Sequence, residues 1–225
     1  MVCCYSEQQA QQVKAQLAAW LKPRGLVFNE GKTRVAHLEE GFDFLGFNLR
    51  RYRRGNRPGK LLIKPSADAV RRVRKRLASE VRGMRSSNAM AVIARLNPII
   101  RGWAAYYRGV VSSALFAALD HYVWRLTYRW ACHTHPNKPR KWIVRRYFGR
   151  FNRFRNDWWV FGSRDHVLDD RGTVAYLIKF SWTNIVRHQL VTGSASPDDR
   201  TSSATGLRDD ARCHLRWTAI TCACS

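Results

Sequence analysis

The sequence predicts an α+β chain: a small antiparallel sheet with one helix, followed by a mostly α-helical segment. Residues 1–49 hold one apolar stripe of helical period and then short β-prone runs separated by glycine turns. From Ser66 to Tyr147 apolar residues recur at spacings of three and four through successive stretches. Charge divides the chain in nearly the same way. Residues 1–49 are close to neutral, whereas Arg50 to Arg164 hold 28 Lys or Arg against four acids, Asp68, Glu80, Asp120 and Asp157. That surplus equals the net charge of the whole chain, +24.

The first helix opens at Ser6, which forms a capping box with Gln9, and carries Ala10, Val13, Leu17, Trp20 and Leu21 on one face. It is expected to end before Pro23, with Gly25 as the turn. Leu26–Phe28, Arg34–Leu38 and Phe42–Leu49 read as β-prone runs separated by Asn29-Glu30-Gly31 and Glu39-Glu40-Gly41. Ser66 is a good N-cap for a helix with Val70, Val73, Leu77 and Val81 inward and Arg71, Arg72, Arg74, Lys75 and Arg76 outward. Ser87–Leu96 predicts a further helix, and Asn97-Pro98 opens another that runs to about Arg108, since proline suits a first turn. Ser113–His133 is the longest helix, with Leu115, Leu119, Tyr122, Leu126 and Trp130 inward, and Pro139–Tyr147 is a shorter one. Residues 165–197 are mixed in character. From Asp198 onward the chain turns to Ser, Thr, Asp and Arg without convincing periodicity, which predicts a disordered tail.

With 225 residues and 45% hydrophobic composition the chain can bury a core, which argues against wholesale disorder. A surplus of +24 repels itself unless a polyanion neutralises it, and in an aromatic-rich chain nucleic acid fits that need better than a membrane surface. No apolar run reaches the ~18 residues of a membrane span, and Met1 to Tyr5 lacks the start of a secretory signal, so a cytosolic protein is expected. The six cysteines, at 3, 4, 132, 213, 222 and 224, match neither a disulfide framework nor paired CxxC motifs.

Two strings near the start stand out. Read bare, Gly41-Phe-Asp-Phe-Leu-Gly-Phe47 is an aromatic β-hairpin with glycines for close backbone approach, and Asn29-Glu-Gly-Lys-Thr33 is a turn. In the order helix, Leu-x-x-Asn-x-x-Lys-Thr, Phe-x-Phe-Leu-Gly-Phe, they resemble the last palm segments of a group II intron reverse transcriptase. Further on, Ile100-Arg-Gly-Trp-Ala-Ala-Tyr-Tyr107, Trp130 to Pro136 and Lys141-Trp-Ile-Val-Arg-Arg-Tyr-Phe148 resemble the maturase domain, or domain X, that follows the palm in the same proteins. The resemblance spans roughly residues 1–197. It implies residues 1–60 as the end of the palm, 61–165 as the helical thumb or maturase domain, 166–197 as its C-terminal segment, and 198–225 as a disordered or frame-shifted tail. Lys32 inherits a place near the incoming nucleotide's phosphates by the same resemblance.

Polymerisation needs carboxylates that hold Mg²⁺, and the family carries an Asp-Asp pair just before a short apolar strand. Met1-Val-Cys-Cys4 resembles that strand, so the resemblance places the pair upstream of Met1 and implies a truncated protein with no catalytic residue, no cofactor and no polymerase activity by itself. Asp169-Asp170 and Asp198-Asp199 lie in the wrong place for such a pair. Cys132, His133 and His135 lack a second ligand pair for zinc, and a shifted reading frame explains Cys213, His214, Cys222 and Cys224 better than a metal site does.

The expected function is RNA binding: assistance to intron splicing by stabilising intron RNA, in the bacterial cytosol or at the nucleoid. Seventeen Phe, Trp or Tyr are interleaved with the basic residues from Arg50 to Arg164. Trp103, Trp124 and Trp130, at helical spacing, are read as core. The phosphate candidates are Arg50, Arg51, Arg71, Arg74, Lys75, Arg108, Arg129, Lys138, Arg140, Lys141, Arg145 and Arg146, with Tyr106 and Tyr107 as base contacts. Two rivals stand beside this reading: half of a split reverse transcriptase completed by a separate fingers-palm chain, and a non-functional remnant of a mobile element.

Overall fold

The computed structural model describes residues 2–54, 57–167, 174–186 and 218–222. The fold is α+β, with five α-helices and small antiparallel sheets among the described residues. The chain divides into two compact units, residues 1–64 with 188–225 and residues 65–187.

In the first unit, strand β1 (Val2–Cys4) leads into helix α1 (Glu7–Leu21). The Ser6 cap forms, its hydroxyl accepting from the Gln9 amide at 3.2 Å, while the Gln9 side chain accepts at 2.9 Å from the Tyr5 amide, one residue before the Ser6 amide of a full capping box. A short 3-10 turn, Lys22–Arg24, ends at Gly25, whose φ of 71° is readily open only to glycine. Leu26–Phe28 form no strand, correcting the sequence expectation; Val27 is 89% exposed, with no sheet face to cover it. Strand β2 (Thr33–His37) follows the Asn29–Lys32 turn.

The aromatic string forms a hairpin of β3 (Phe42–Phe44) and β4 (Phe47–Arg54), with Phe44 opposite Phe47. Its two-residue turn has positive φ at both positions, 49° at Leu45 and 82° at Gly46. Strand β5 (Arg57–Pro65) completes that sheet. Ala36, Leu38 and Phe42 form a small core with Phe44 and Leu49, while Cys4 and Ala10 form another with Val2, Val13 and Val35.

In the second unit, helix α2 (Ala67–Gly83) is capped by Ser66 and buries Ala69, Val73, Leu77 and Val81. Where two helices are expected, one runs unbroken as α3 (Ala89–Tyr107), with Pro98 in its interior. Packing explains the correction. Val92, Ile93, Leu96, Ile100, Ala104 and Tyr107 form one buried stripe across the proline, and burying it outweighs one missing backbone hydrogen bond. Asn97 caps nothing. Its amide instead donates to the Tyr176 carbonyl at 3.1 Å and accepts from the Ile178 amide at 2.9 Å.

Helix α4 (Ser113–Thr134) buries Phe116, Leu119, Val123, Thr127 and Trp130, so its inward stripe is rotated by about one residue from the expected Leu115, Tyr122 and Leu126, which are half-buried. Larger Phe116 takes the centre of the core against Phe180 and Trp103. Helix α5 (Arg140–Tyr147) leads into β6 (Phe148–Gly149), which pairs with β7 (Val160–Val167), itself paired with β8 (Val174–Tyr176).

The structureless tail expected from Asp198 onward does not hold throughout. Thr218–Cys222 form strand β9 between β1 and β2, antiparallel to both, as their β-branched Thr218, Ile220 and Thr221 favour. The rest of that tail lies outside the described residues, as do Asp169-Asp170, Asp198-Asp199, Cys213, His214 and Cys224.

Candidate nucleic-acid interface

Helix α2 points cations in three directions, because residues four apart share a face. Arg74 turns toward α4, with its guanidinium 5.4 Å from the Tyr122 ring centre, while the Tyr122 hydroxyl donates to the Arg74 carbonyl at 3.2 Å. Arg71 and Lys75 are exposed on the outer side. Arg72 and Arg76 flank the buried stripe on the α3 side, where they line a groove of about 640 Å³. Its opposite wall is Pro98, Ile99, Gly102, Trp103, Tyr106 and Tyr107 of α3, and Ala69 and Val73 of α2 complete the lining.

Both carboxylates of α2 are engaged. Asp68 accepts from Arg71, and Glu80 accepts from Arg95 of α3 at 2.9 Å, a hydrogen bond that, with the nearby Arg95 and Arg76 charges, holds its carboxyl below the usual range. The groove therefore joins a cationic wall to an apolar and aromatic one, an arrangement that suits a phosphate with an attached base.

Sequence reasoning assigned Arg72 and Arg76 to the outer face but omitted them from its phosphate candidates. Their register was the available signal: positions 69, 72, 73 and 76 fall on one side of a helix. The two tyrosines expected to touch bases both line the groove and differ in exposure. Tyr106 is 55% exposed and lines the groove. Tyr107 lines the same groove from a buried position: it is 5% exposed, its ring centre is 4.3 Å from that of Trp103, and burial pushes its hydroxyl pKa up.

A second basic region of the same unit surrounds α5. Lys138, Arg140, Lys141 and Arg145 are exposed there, and Arg146 is half-buried. The Lys138 ammonium lies 5.5 Å from the centre of the Trp142 ring, while Arg129 is exposed on α4 and Arg108 caps α3. In the first unit Arg50 donates to the Glu39 carbonyl at 3.0 Å, Arg51 is half-buried, and Lys32 is exposed in the turn before β2. Of the tryptophans read as core, Trp130 is buried and donates to the Met84 carbonyl at 2.7 Å, whereas Trp103 and Trp124 are half-buried.

Cys132, His133 and His135 do not converge on a common point for a metal. The ring nitrogen Nε2 of His135 lies 2.6 Å from the Tyr147 hydroxyl, and His133 is exposed. Among the described residues no group of three or more His, Cys, Asp or Glu is placed to hold a metal ion.

Residues 70–148, most of α2 with all of α3, α4 and α5, match the family model of the group II intron, maturase-specific domain. That segment is similar to the maturase-specific domain over about a third of the chain. The match takes in the three strings that carry the resemblance to domain X and every lining residue of the groove but Ala69; the palm-like strings of residues 29–47 lie outside it. No curated protein matches the chain. No helix among the described residues is long and apolar enough to cross a membrane.

Proposed function

We propose that the chain binds group II intron RNA through the maturase-specific domain and favours the splicing-competent RNA fold, without polymerising nucleotides by itself. The observation that carries the reading is the α2–α3 groove, where Arg72 and Arg76 face Tyr106 and Trp103 inside the matched segment. Such a maturase needs no side-chain chemistry. The ribozyme supplies the reaction, and a protein that binds one RNA conformation better than the others shifts the population toward it. Lys32, the phosphate candidates around α5 and the palm reading of residues 1–60 belong to the same proposal. Residues 1–60 hold no Asp-Asp pair, the pair that holds Mg²⁺ in the resembled family.

Splicing of a group II intron RNA at limiting Mg²⁺, followed with and without the purified chain, tests this reading, with primer extension on the same preparation. Faster splicing with nucleotide incorporation at the no-enzyme level is expected. Splicing that stays at the protein-free rate would remove the maturase reading, and incorporation above the control would refute the absence of polymerase activity.

A further inference from the structure

The segment between β6 and β7 lies just beyond the matched domain, and it presents aromatic rings to solvent from an anchored loop. Phe154 is 84% exposed and Trp158 is 65% exposed. The loop is pinned at several points. The Asn152 side chain accepts from the Phe154 amide at 2.9 Å, and the Arg155 amide donates to the Asn152 carbonyl at 3.3 Å. Asp157 accepts from Trp182 Nε1 at 2.5 Å and pairs with Lys179 at 3.3 Å. At its start, Phe151 lies flat against Gly162, so closely that a Cβ there would come within 2.7 Å of the ring.

Apolar rings exposed on an anchored loop cannot bury themselves by local rearrangement, so they suit a partner. Charge selects the partner. Arg150 and Arg153 are exposed in the same loop, the Arg153 guanidinium is 5.1 Å from the Phe154 ring centre, and the loop's only carboxylate, Asp157, is already engaged. Flat rings alternating with cations recognise unpaired nucleotides, because bases stack on the rings while phosphates meet the guanidinium groups.

We propose that residues 150–159 form a stacking platform for unpaired bases of the bound RNA, with Phe154 and Trp158 as the stacking rings and Arg150 and Arg153 on the flanking phosphates. The assignment rests on the reading that the chain binds RNA. It gives the protein a single-strand site separate from the α2–α3 groove. Trp159 is not part of the platform: its ring packs edge-on against Trp124 at 6.1 Å.

The test compares the full chain with its Phe154→Ala/Trp158→Ala variant on two probes, an oligoadenylate carrying 2-aminopurine and a blunt RNA hairpin. Since each stacked base contributes enough for about fivefold or more in affinity, oligoadenylate binding should weaken at least about tenfold and the 2-aminopurine quench should be lost. Hairpin affinity should stay within about twofold, and Phe154→Tyr/Trp158→Phe should restore oligoadenylate binding. Unchanged oligoadenylate affinity in the alanine variant would overturn the platform while leaving hairpin binding, and with it the RNA reading, intact. Equal losses on both probes, together with a lowered thermal midpoint, would also overturn it, assigning the rings to the fold. If the unaltered chain bound neither probe, the RNA reading itself would fail.

Discussion

Asp120 joins α4 to the 3-10 turn at Phe180–Trp182. Its two oxygens accept from the Phe180 amide at 2.6 Å and the Ser181 amide at 3.1 Å. Burial pushes its carboxyl pKa above the ordinary 3.8, outweighing those hydrogen bonds and the Lys179 charge. Asp120→Ala should lower stability by about 2 kcal/mol, because two amides lose their acceptor. The pH dependence separates burial from hydrogen bonding. A carboxyl with a raised folded pKa binds its proton more tightly in the folded chain, so its contribution is fully present below the unfolded value and declines as pH rises through the folded one. The thermal midpoint of the unaltered chain should therefore fall relative to that of Asp120→Asn as pH rises from below 3.8. A relative rise over that interval would mean that the amides, rather than burial, dominate.

Residue types announced the candidate site more clearly than residue placement. Composition shows that Arg50 to Arg164 is a cationic segment, but it does not distinguish Tyr106 from Tyr107, adjacent groove-lining rings of which one is exposed and the other buried. That distinction depends on how α3 is rotated against α2 and α4, which follows from tertiary packing.

Among the elements, α3 shows where local signals lose to packing. Asn97-Pro98 has the form of a helix start, yet the buried stripe from Val92 to Tyr107 crosses it without a break. A proline inside a helix removes a backbone hydrogen bond and crowds the preceding turn, whereas a proline at a first turn costs little. Pro98→Ala should therefore hold or raise the thermal midpoint. A loss of more than about 1 kcal/mol would place Pro98 at a true helix start instead. The capping signals, by contrast, were read correctly at Ser6 and Ser66, because a hydroxyl accepting from the amide three residues on is a local interaction. The same locality made the Phe44–Phe47 hairpin legible, while β9 was missed because its partners, β1 and β2, lie more than 180 residues away in sequence.

At the scale of the whole molecule the dominant property is charge: 40 Lys or Arg against 16 Asp or Glu, with the entire excess between Arg50 and Arg164. The segment similar to the maturase-specific domain lies inside that range, and so does the proposed platform. The surplus opposes compaction through self-repulsion, and a bound polyanion relieves it. The relief has a measurable signature, since each phosphate contact releases condensed cations and adds about 0.7 to 0.9 to the log-log dependence of affinity on salt.

The most direct measurement is the affinity for group II intron RNA between about 50 and 200 mM salt, for the unaltered chain and for Arg72→Ala/Arg76→Ala. The unaltered chain should show a slope of about −4 or steeper, and the variant a slope shallower by about 1.5. A flat dependence in the unaltered chain would contradict an electrostatic RNA surface, and an equal slope in both proteins would remove the α2–α3 groove from it.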